Sequence, residues 1–381
     1  MKIYSWYLKI CLIVLFGSLS GCNPGKKDSE VDIKTTEILD TSSTEQWLKF
    51  VGNTHSPHIV LISGDEEYRS EEALPQLAKI LSEKHGFNCT VLFAQKPDKP
   101  GVVNPKYLKN IAGLQHLQTA DLMVIFTRFR ELPDDQMKEI DNYLKSGRPV
   151  IGMRTSTHAF SFPMTDSASV WHHYSHNYDG PIKEWKGGFG RLVLGERWVS
   201  HHGHHRHQST LGIIDENAKS HPITRGINNG DIWGASDVYE VRLPLLGDSQ
   251  PIILGQVMNR KGEFDENDRF YGMRPTDNEI AEFNNKGIKA NDPMMPIAWI
   301  KTYQIPGGNK GKVFTTTLGA SVDLLSEGVR RLLVNGTYWS LDMEIPKVAD
   351  VSLIGKYEPS QYENRKNEYW THSNLTLSNL K

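Results

Sequence analysis

The segment His58-Ile59-Val60-Leu61-Ile62-Ser63-Gly64 decides the fold class. A short apolar run that ends in glycine is typical of a strand buried on both faces of a parallel sheet. A helical pattern follows, with Leu74, Leu77 and Leu81 on one face. The alternation continues, with strands predicted at 87–94, 122–126 and 149–153 and a helix at 134–147. This order predicts an α/β protein with a parallel sheet and helices on both of its faces.

Polar residues follow three of these predicted strands, at the point where each strand ends. In sheets of this kind, ligands bind at the carboxyl ends of the strands. Because parallel strands share a direction, we expect the segments 65–69, 128–130 and 154–158 to meet at one edge of the sheet. The sequence therefore predicts a functional site at that edge.

The second half of the chain is less regular. Residues 160–210 form an insertion rich in histidine, tryptophan and glycine, which leaves the chain directly after the predicted site and could fold over it as a lid. The folded domain is predicted to span 46–345, followed by a polar C-terminal extension at 346–381. Later strands are predicted at 238–243, 251–257, 296–301 and 312–317, and a helix at 324–343.

The N-terminal residues resemble a bacterial lipoprotein signal. An apolar run from Ile10 to Phe16 is too short to span a bilayer, which takes roughly 20 apolar residues, and Leu19-Ser20-Gly21-Cys22 follows it. We expect residues 1–21 to be removed, Cys22 to be lipidated and residues 22–45 to form a polar tether. The alternative is an ordinary signal peptide. The predicted location is the bacterial cell envelope, in the periplasm or at the outer membrane, with the lipid anchor as the only membrane contact.

The overall composition excludes some classes of partner and chemistry. The formal net charge of −2 offers no basic field for nucleic acid. Besides Cys11 in the signal and Cys22, only Cys89 remains, so the mature chain has no intramolecular disulfide. Nothing in the sequence indicates the oligomeric state.

Carboxylates and arginines provide the first set of candidate site residues. Asp65 and Glu67 follow the first strand and could bind sugar hydroxyls or act as a general base, with Glu67 the better candidate. Helix capping is the alternative role for these acids. Arg128, Arg130 and Arg154 follow two other strands, which indicates an anionic or carbonyl-bearing ligand. The alternative is that these arginines pair with the acids in a structural network.

Histidines provide the second set. Nine of the 15 histidines fall between residues 158 and 207. They could bind a divalent metal such as zinc, bind sugar or transfer protons, or simply be solvated. No cysteine or fixed helical spacing completes a zinc motif, and a metal-free site is the favoured prediction. If a metal is used, three ligands are expected from His158, His172, His173, His201 and His202, with the insertion bringing His201 or His202 towards His158.

Several stretches together resemble the trehalose-utilization, or ThuA-like, family over roughly residues 57–343. The resemblance implies a flavodoxin-like, class I glutamine amidotransferase-like fold and a role in the breakdown of trehalose and related 3-keto-sugars. The stretches are Gly64-Asp65-Glu66-Glu67-Tyr68-Arg69, residues 120–126, Gly152-Met153-Arg154-Thr155-Ser156-Thr157-His158, residues 221–224 and Asn335-Gly336-Thr337-Tyr338-Trp339.

The sequence departs from related proteins at two positions. Arg154 stands where amidotransferases of this fold carry a nucleophilic cysteine, and an arginine cannot attack a carbonyl, which excludes glutaminase chemistry. Some family members place a Gly-His pair before the last helix, which here reads Gly319-Ala320-Ser321, so a possible metal ligand is absent at this position.

Two functions remain open from the sequence. The first is an enzyme, of a hydrolase, lyase or isomerase type, acting on a sugar or 3-keto-sugar glycoside. Glu67 or His158 would move a proton, Arg128 and Arg154 would polarise a carbonyl or enolate, and substrate would be held by Asp65, Arg130, Thr155, His201 and His202. The second is a non-catalytic carbohydrate-binding surface lipoprotein.

Overall fold

The computed structural model describes residues 45–163 and 169–381. The predicted signal peptide, Cys22 and nearly all of the predicted tether lie outside the described residues. Of the helices in the described part of the chain, none combines the length and the apolar character needed to cross a bilayer.

The described residues form a mixed sheet and a small two-stranded sheet. The strands are β1 Trp47–Phe50, β2 His58–Gly64, β3 Asn88–Phe93, β4 Leu122–Thr127, β5 Val150–Met153, β6 Ser200–His201, β7 Gln208–Ile214, β8 Trp233–Gly234, β9 Tyr239–Glu240, β10 Gln250–Asn259, β11 Glu279–Ile280, β12 Met295–Tyr303 and β13 Gly311–Thr316. The α-helices are α1 Ser70–Glu83, α2 Asp134–Lys145, α3 Gly188–Leu192, α4 Glu327–Ser340 and α5 Asn367–Ser373.

The large sheet has a parallel half and an antiparallel half. Strands β3, β2, β4, β5 and β13 pair in parallel in that order. Strands β12, β10, β7 and β8 continue the sheet in antiparallel pairs, while β1 closes the other end against β3. The α/β prediction is confirmed for the first half of the chain. The antiparallel continuation was not predicted, because apolar runs such as 251–257 indicate a strand but not its direction.

Helices cover both faces of the parallel half. Ile59 and Leu61 belong to one buried core, which also contains Leu77 of α1 and Leu332 of α4. The alternate residues of β2 belong to a second core, with Ile140 of α2. Successive side chains of a strand point to opposite faces, so the continuous apolar run 59–62 of β2 must be covered on both sides. β2 is therefore an interior strand of the sheet that contributes to both cores.

The insertion packs as a small aromatic cluster beside α2. The Tyr174 and Trp185 rings lie 4.3 Å apart, and the Tyr174 hydroxyl donates to Asp141 of α2 over 2.8 Å. The ring of His173 lies 4.6 Å from Trp185, and that of His172 lies 5.4 Å from Tyr178. Both histidines thus belong to the packing of the insertion.

The C-terminal segment after α4 is polar in sequence but is held by a few buried aromatic side chains. Tyr362 is fully buried and donates its hydroxyl to the Ala235 carbonyl over 3.0 Å, and Trp370 is also buried. Between them, the backbone N–H of Glu363 donates to the carbonyl of Glu67 over 2.8 Å. This segment therefore runs alongside the carboxyl end of β2.

Candidate functional site

The three polar segments predicted to converge meet at the carboxyl edge of the parallel strands. The hydroxyl of Thr155, after β5, donates to Oδ2 of Asp65, after β2. Arg128 and Arg130, after β4, both contact the carboxylate of Glu66. The shared direction of parallel strands is sufficient to explain this meeting.

Asp65 lies at the centre of the edge and is fully buried. Its Oδ1 accepts from the backbone N–H groups of Glu67, over 2.7 Å, and of Tyr68. Asp65 therefore holds the turn that leads into α1, which supports its alternative, structural role. Burial, followed by the charge of Glu66, raises the pKa of Asp65 to about 6.

Arg128 and Arg130 differ in how far they reach solvent. Arg130 is fully buried and donates to Glu66 and to three backbone carbonyls, and its burial lowers its pKa to about 10. Arg128 retains 18% of its side-chain exposure and contacts both Glu66 and Glu67, the latter over 3.4 Å. Arg130 is thus part of a structural network, whereas Arg128 can also meet a ligand.

Arg154 occupies the sharp turn after β5, with a left-handed backbone (φ 44°). Its fully buried guanidinium donates to the carbonyls of Asp237 and Thr317 over 2.7 and 2.6 Å, and to the Asp237 carboxylate over 3.1 Å. The rings of Tyr68 and Tyr239 lie 4.3 and 3.8 Å from its central carbon. Arg154 therefore positions its neighbours and is not open to a ligand, which argues against the carbonyl-polarising role predicted from sequence.

Asp237 joins Arg154 to two histidines of the insertion. Its Oδ2 lies 2.7 Å from Nδ1 of His201, and its Oδ1 lies 2.9 Å from Nδ1 of His205. Burial alone would raise the pKa of Asp237, but Arg154 and the two imidazole donors hold it well below its ordinary value. Asp237 is therefore an ionised carboxylate on which two imidazoles converge.

Glu67 links this histidine pair to the arginines. Its Oε1 lies 3.6 Å from Nε2 of His205, and its Oε2 lies 3.4 Å from Nη2 of Arg128. The side chains of Glu67 and His205 retain 13% and 23% of their exposure, and that of His201 retains 35%. The site therefore has a buried floor, made by Asp65, Arg154 and Asp237, and a rim that solvent reaches.

His158 lies beside the rim but is itself buried. Its ring lies 5.3 Å from Trp198, which lies 5.7 Å from the ring of His201. Burial, together with the charge of Arg128, holds the pKa of His158 well below its ordinary value, so this imidazole is neutral at pH 7. The rings of His158 and His201 therefore both lie beside Trp198.

The predicted metal-ligand set is not brought together. His202 is buried with Nε2 2.9 Å from the Ala290 carbonyl, and His172 and His173 lie in the aromatic cluster of the insertion. His202 is therefore corrected from a site residue to a packing residue. Within residues 45–163 and 169–381, the one group of ligand side chains close enough to share a metal ion is His201, His205 and Asp237.

Two of these three residues were missed from the sequence. Asp237 directly precedes the predicted strand 238–243 and lies 83 residues after Arg154, so nothing local connects it with that turn. His205 belongs to the dense run His201-His202-Gly203-His204-His205-Arg206-His207, in which no residue stands out. One signal was available in the sequence. A buried arginine needs a charged partner, so Arg154 itself predicted a carboxylate nearby.

The fold and the edge site define the class: an α/β protein with its polar site at the carboxyl ends of parallel strands. The family model ThuA, described as trehalose utilisation, matches residues 58–340. The chain therefore belongs to the ThuA family, which confirms the family predicted from the sequence.

Solved structures of two ThuA-like proteins are similar to this chain. The protein from Parabacteroides merdae ATCC 43184 is 12% identical, with 82% of this chain and 99% of that chain covered and a TM-score of 0.44. The protein from Bacteroides uniformis ATCC 8492 is 13% identical, with coverage of 76% and 94% and a TM-score of 0.39. The search among curated proteins found no match.

Proposed function

We propose that the protein is an enzyme that acts on a sugar or a 3-keto-sugar glycoside at the carboxyl edge of the sheet. The observation that carries the proposal is the position of Glu67, whose carboxylate lies between Arg128 and His205 on a rim that solvent reaches. The trehalose-utilisation description of the family supports the class of substrate.

At the rim, a carboxylate that can act as a base lies beside a guanidinium that can donate hydrogen bonds. In the proposed reaction, Glu67 takes a proton from the carbon next to the keto group, or from a hydroxyl. Arg128 donates hydrogen bonds to the oxygen on which negative charge develops. The buried Arg154 is assigned a positioning role, because it fixes Asp237 and through it the two imidazoles. His158 is buried and held neutral, so it packs beside the rim and Glu67 is the base assigned to the reaction.

A groove next to the rim could hold the rest of a glycoside. It has a volume of about 910 Å³ and is lined by charged side chains and by the rings of Tyr271 and Tyr369. Arg206, which follows His205 in the chain, and Glu363, whose N–H bonds to the backbone of Glu67, both line it. Aromatic faces with polar neighbours suit sugar rings, which have apolar faces and hydroxyl edges.

A substrate panel tests the proposal. The purified protein would be incubated with disaccharides and the matching 3-keto-disaccharides, and products followed by mass spectrometry and NMR. We expect turnover of at least one keto-sugar, with loss of turnover in Arg128→Met. Binding across the panel without any turnover would contradict catalysis and favour the alternative of a carbohydrate-binding lipoprotein.

We also propose that the protein is anchored in the bacterial cell envelope through a lipid on Cys22. The apolar run and the four residues that end at Cys22 support this. Cys22→Ala should move the protein from the detergent phase to the aqueous phase and remove the lipid mass from the N-terminus. Unchanged partitioning and mass in Cys22→Ala would contradict the anchor.

A further inference from the structure

We propose that His201, His205 and Asp237 form a binding site for a divalent first-row transition metal, for which zinc is the probe. This set differs from the one expected from the sequence, because two of its three members come from outside that prediction. The proposal rests on the proposed function in one respect only, namely that a sugar oxygen would bind to the metal. Metal binding itself depends on the geometry of these three side chains.

The donors are of the right kind and close together. One ligand atom from each of the three residues lies within 4.8 Å of the others. Two imidazoles and one carboxylate form a set that transition metals use in catalytic sites, where further positions stay open to water or substrate. Both Nδ1 atoms already face the same carboxylate, so an ion bound between them would take the place of the two N–H protons that now point at Asp237.

The surroundings hold these ligands as the neighbours of a metal site do. Arg154 contacts the Oδ1 side of Asp237, which leaves Oδ2 with His201 as its side-chain partner among the described residues. The other ring nitrogen of His205 faces Oε1 of Glu67 over 3.6 Å. A carboxylate on the far nitrogen of a ligating histidine is the common arrangement that orients the ring and raises its basicity.

Local charge permits a cation despite the arginines. Arg128 and Arg130 are paired with Glu66, and Arg128 also contacts Glu67. With Asp65 and Asp237, four carboxylates at the edge face three guanidinium groups. The partly exposed His201 gives the ion an entry path from solvent, since 35% of its side chain is exposed.

Calorimetric titration of zinc into the full chain, purified without a His-tag and stripped with a chelator, tests the site. We expect one equivalent to bind and His205→Ala to weaken binding on the order of 100-fold or more. His204→Ala is the matched control from the same loop, because the His204 ring stacks on His207 at 4.1 Å. Cobalt substitution supplies a second readout, through visible absorption bands that are present in the wild type and lost in His205→Ala.

The outcomes separate this site from adventitious binding and from the proposed function. Equal losses in His204→Ala and His205→Ala, or less than one equivalent in the wild type, would overturn the proposal. His201→Ala should reproduce the loss. Because 35% of the His201 side chain is exposed, this variant tests the site without substituting the fully buried Asp237. Sugar turnover in the metal-stripped protein would leave the proposed function standing while removing the metal from it. Zinc binding without sugar turnover would support the metal site and contradict the proposed function.

Discussion

Two arginine clusters lie at the same edge of the sheet, and they are built differently. Arg154 is fully buried between Tyr68 and Tyr239, with Asp237 as its partner. Arg128 remains partly exposed to solvent and contacts both Glu66 and Glu67. A buried ion pair is costly to break, whereas a partly solvated pair contributes little to stability and remains available to a ligand. The comparison therefore assigns a structural role to Arg154 and a role in ligand contact to Arg128.

The largest expected effect is on the rim. Glu67→Gln keeps the size of the side chain and removes the base, so turnover of the active keto-sugar should fall by roughly 10²- to 10⁴-fold. Rates would be measured under saturating substrate, together with the affinity for the sugar. Glu131→Gln is the control, because Glu131 follows Arg130 in the chain but pairs with Lys109 on the surface. Equal rates in wild type and Glu67→Gln would remove Glu67 from the reaction.

The next effect concerns the floor. Arg154→Met leaves Asp237 without its guanidinium partner in a buried site and should lower the free energy of unfolding by about 3–5 kcal/mol. Arg128→Met should cost about 1–2 kcal/mol, between the ranges for surface and buried pairs, because Glu66 keeps Arg130. Urea denaturation of both variants measures the difference. Similar losses in the two variants would mean that the contrast between the clusters is not real.

A third prediction uses the raised pKa of Asp65. The folded state holds the proton up to about pH 6, whereas the unfolded chain releases it near the ordinary value of 3.8. The folded state therefore binds more protons between about pH 4 and 6, and this carboxyl makes stability fall as pH rises through that window. Asp65→Asn should flatten that fall, as measured by urea denaturation at several pH values. Asp179→Asn, a change at an exposed carboxylate, is the control and should leave the fall in stability unchanged. If Asp65→Asn also leaves the fall unchanged, the raised pKa of Asp65 is refuted.

The sequence was sufficient for the part of the site that depends on strand direction. Asp65, Arg128 and Thr155 each follow a parallel strand, so their meeting follows from topology alone. The partner of Arg154 could not be predicted in this way, because Asp237 reaches the edge through a long irregular connection. Which histidine of the run 201–207 faces the site depends on the path of the loop. His202 turns to the Ala290 carbonyl, while His205 turns to Asp237.

The antiparallel half of the sheet shows the same limit at the level of the fold. β10 and β12 are readable as strands from their apolar residues, but their order and direction depend on which edge remains free after β13 pairs with β5. β7 begins within the segment assigned to the insertion, because the histidine-rich composition around it conceals the strand pattern of Gln208–Ile214. Local patterns therefore define the parallel half, and tertiary pairing defines the rest.

The smallest expected effect links the floor to the turn before α1. Thr155→Val keeps the shape of the side chain but removes the hydroxyl that donates to Oδ2 of Asp65. Loss of one such bond should cost about 1–2 kcal/mol. Because the hydroxyl favours the ionised carboxylate, its removal should also raise the pKa of Asp65 further, which extends the fall in stability to higher pH. Carbon-13 NMR of the carboxyl group through a pH titration measures that midpoint. An unmoved midpoint would show that Thr155 packs against Asp65 without influencing its charge, and the floor would then be held by its backbone donors alone.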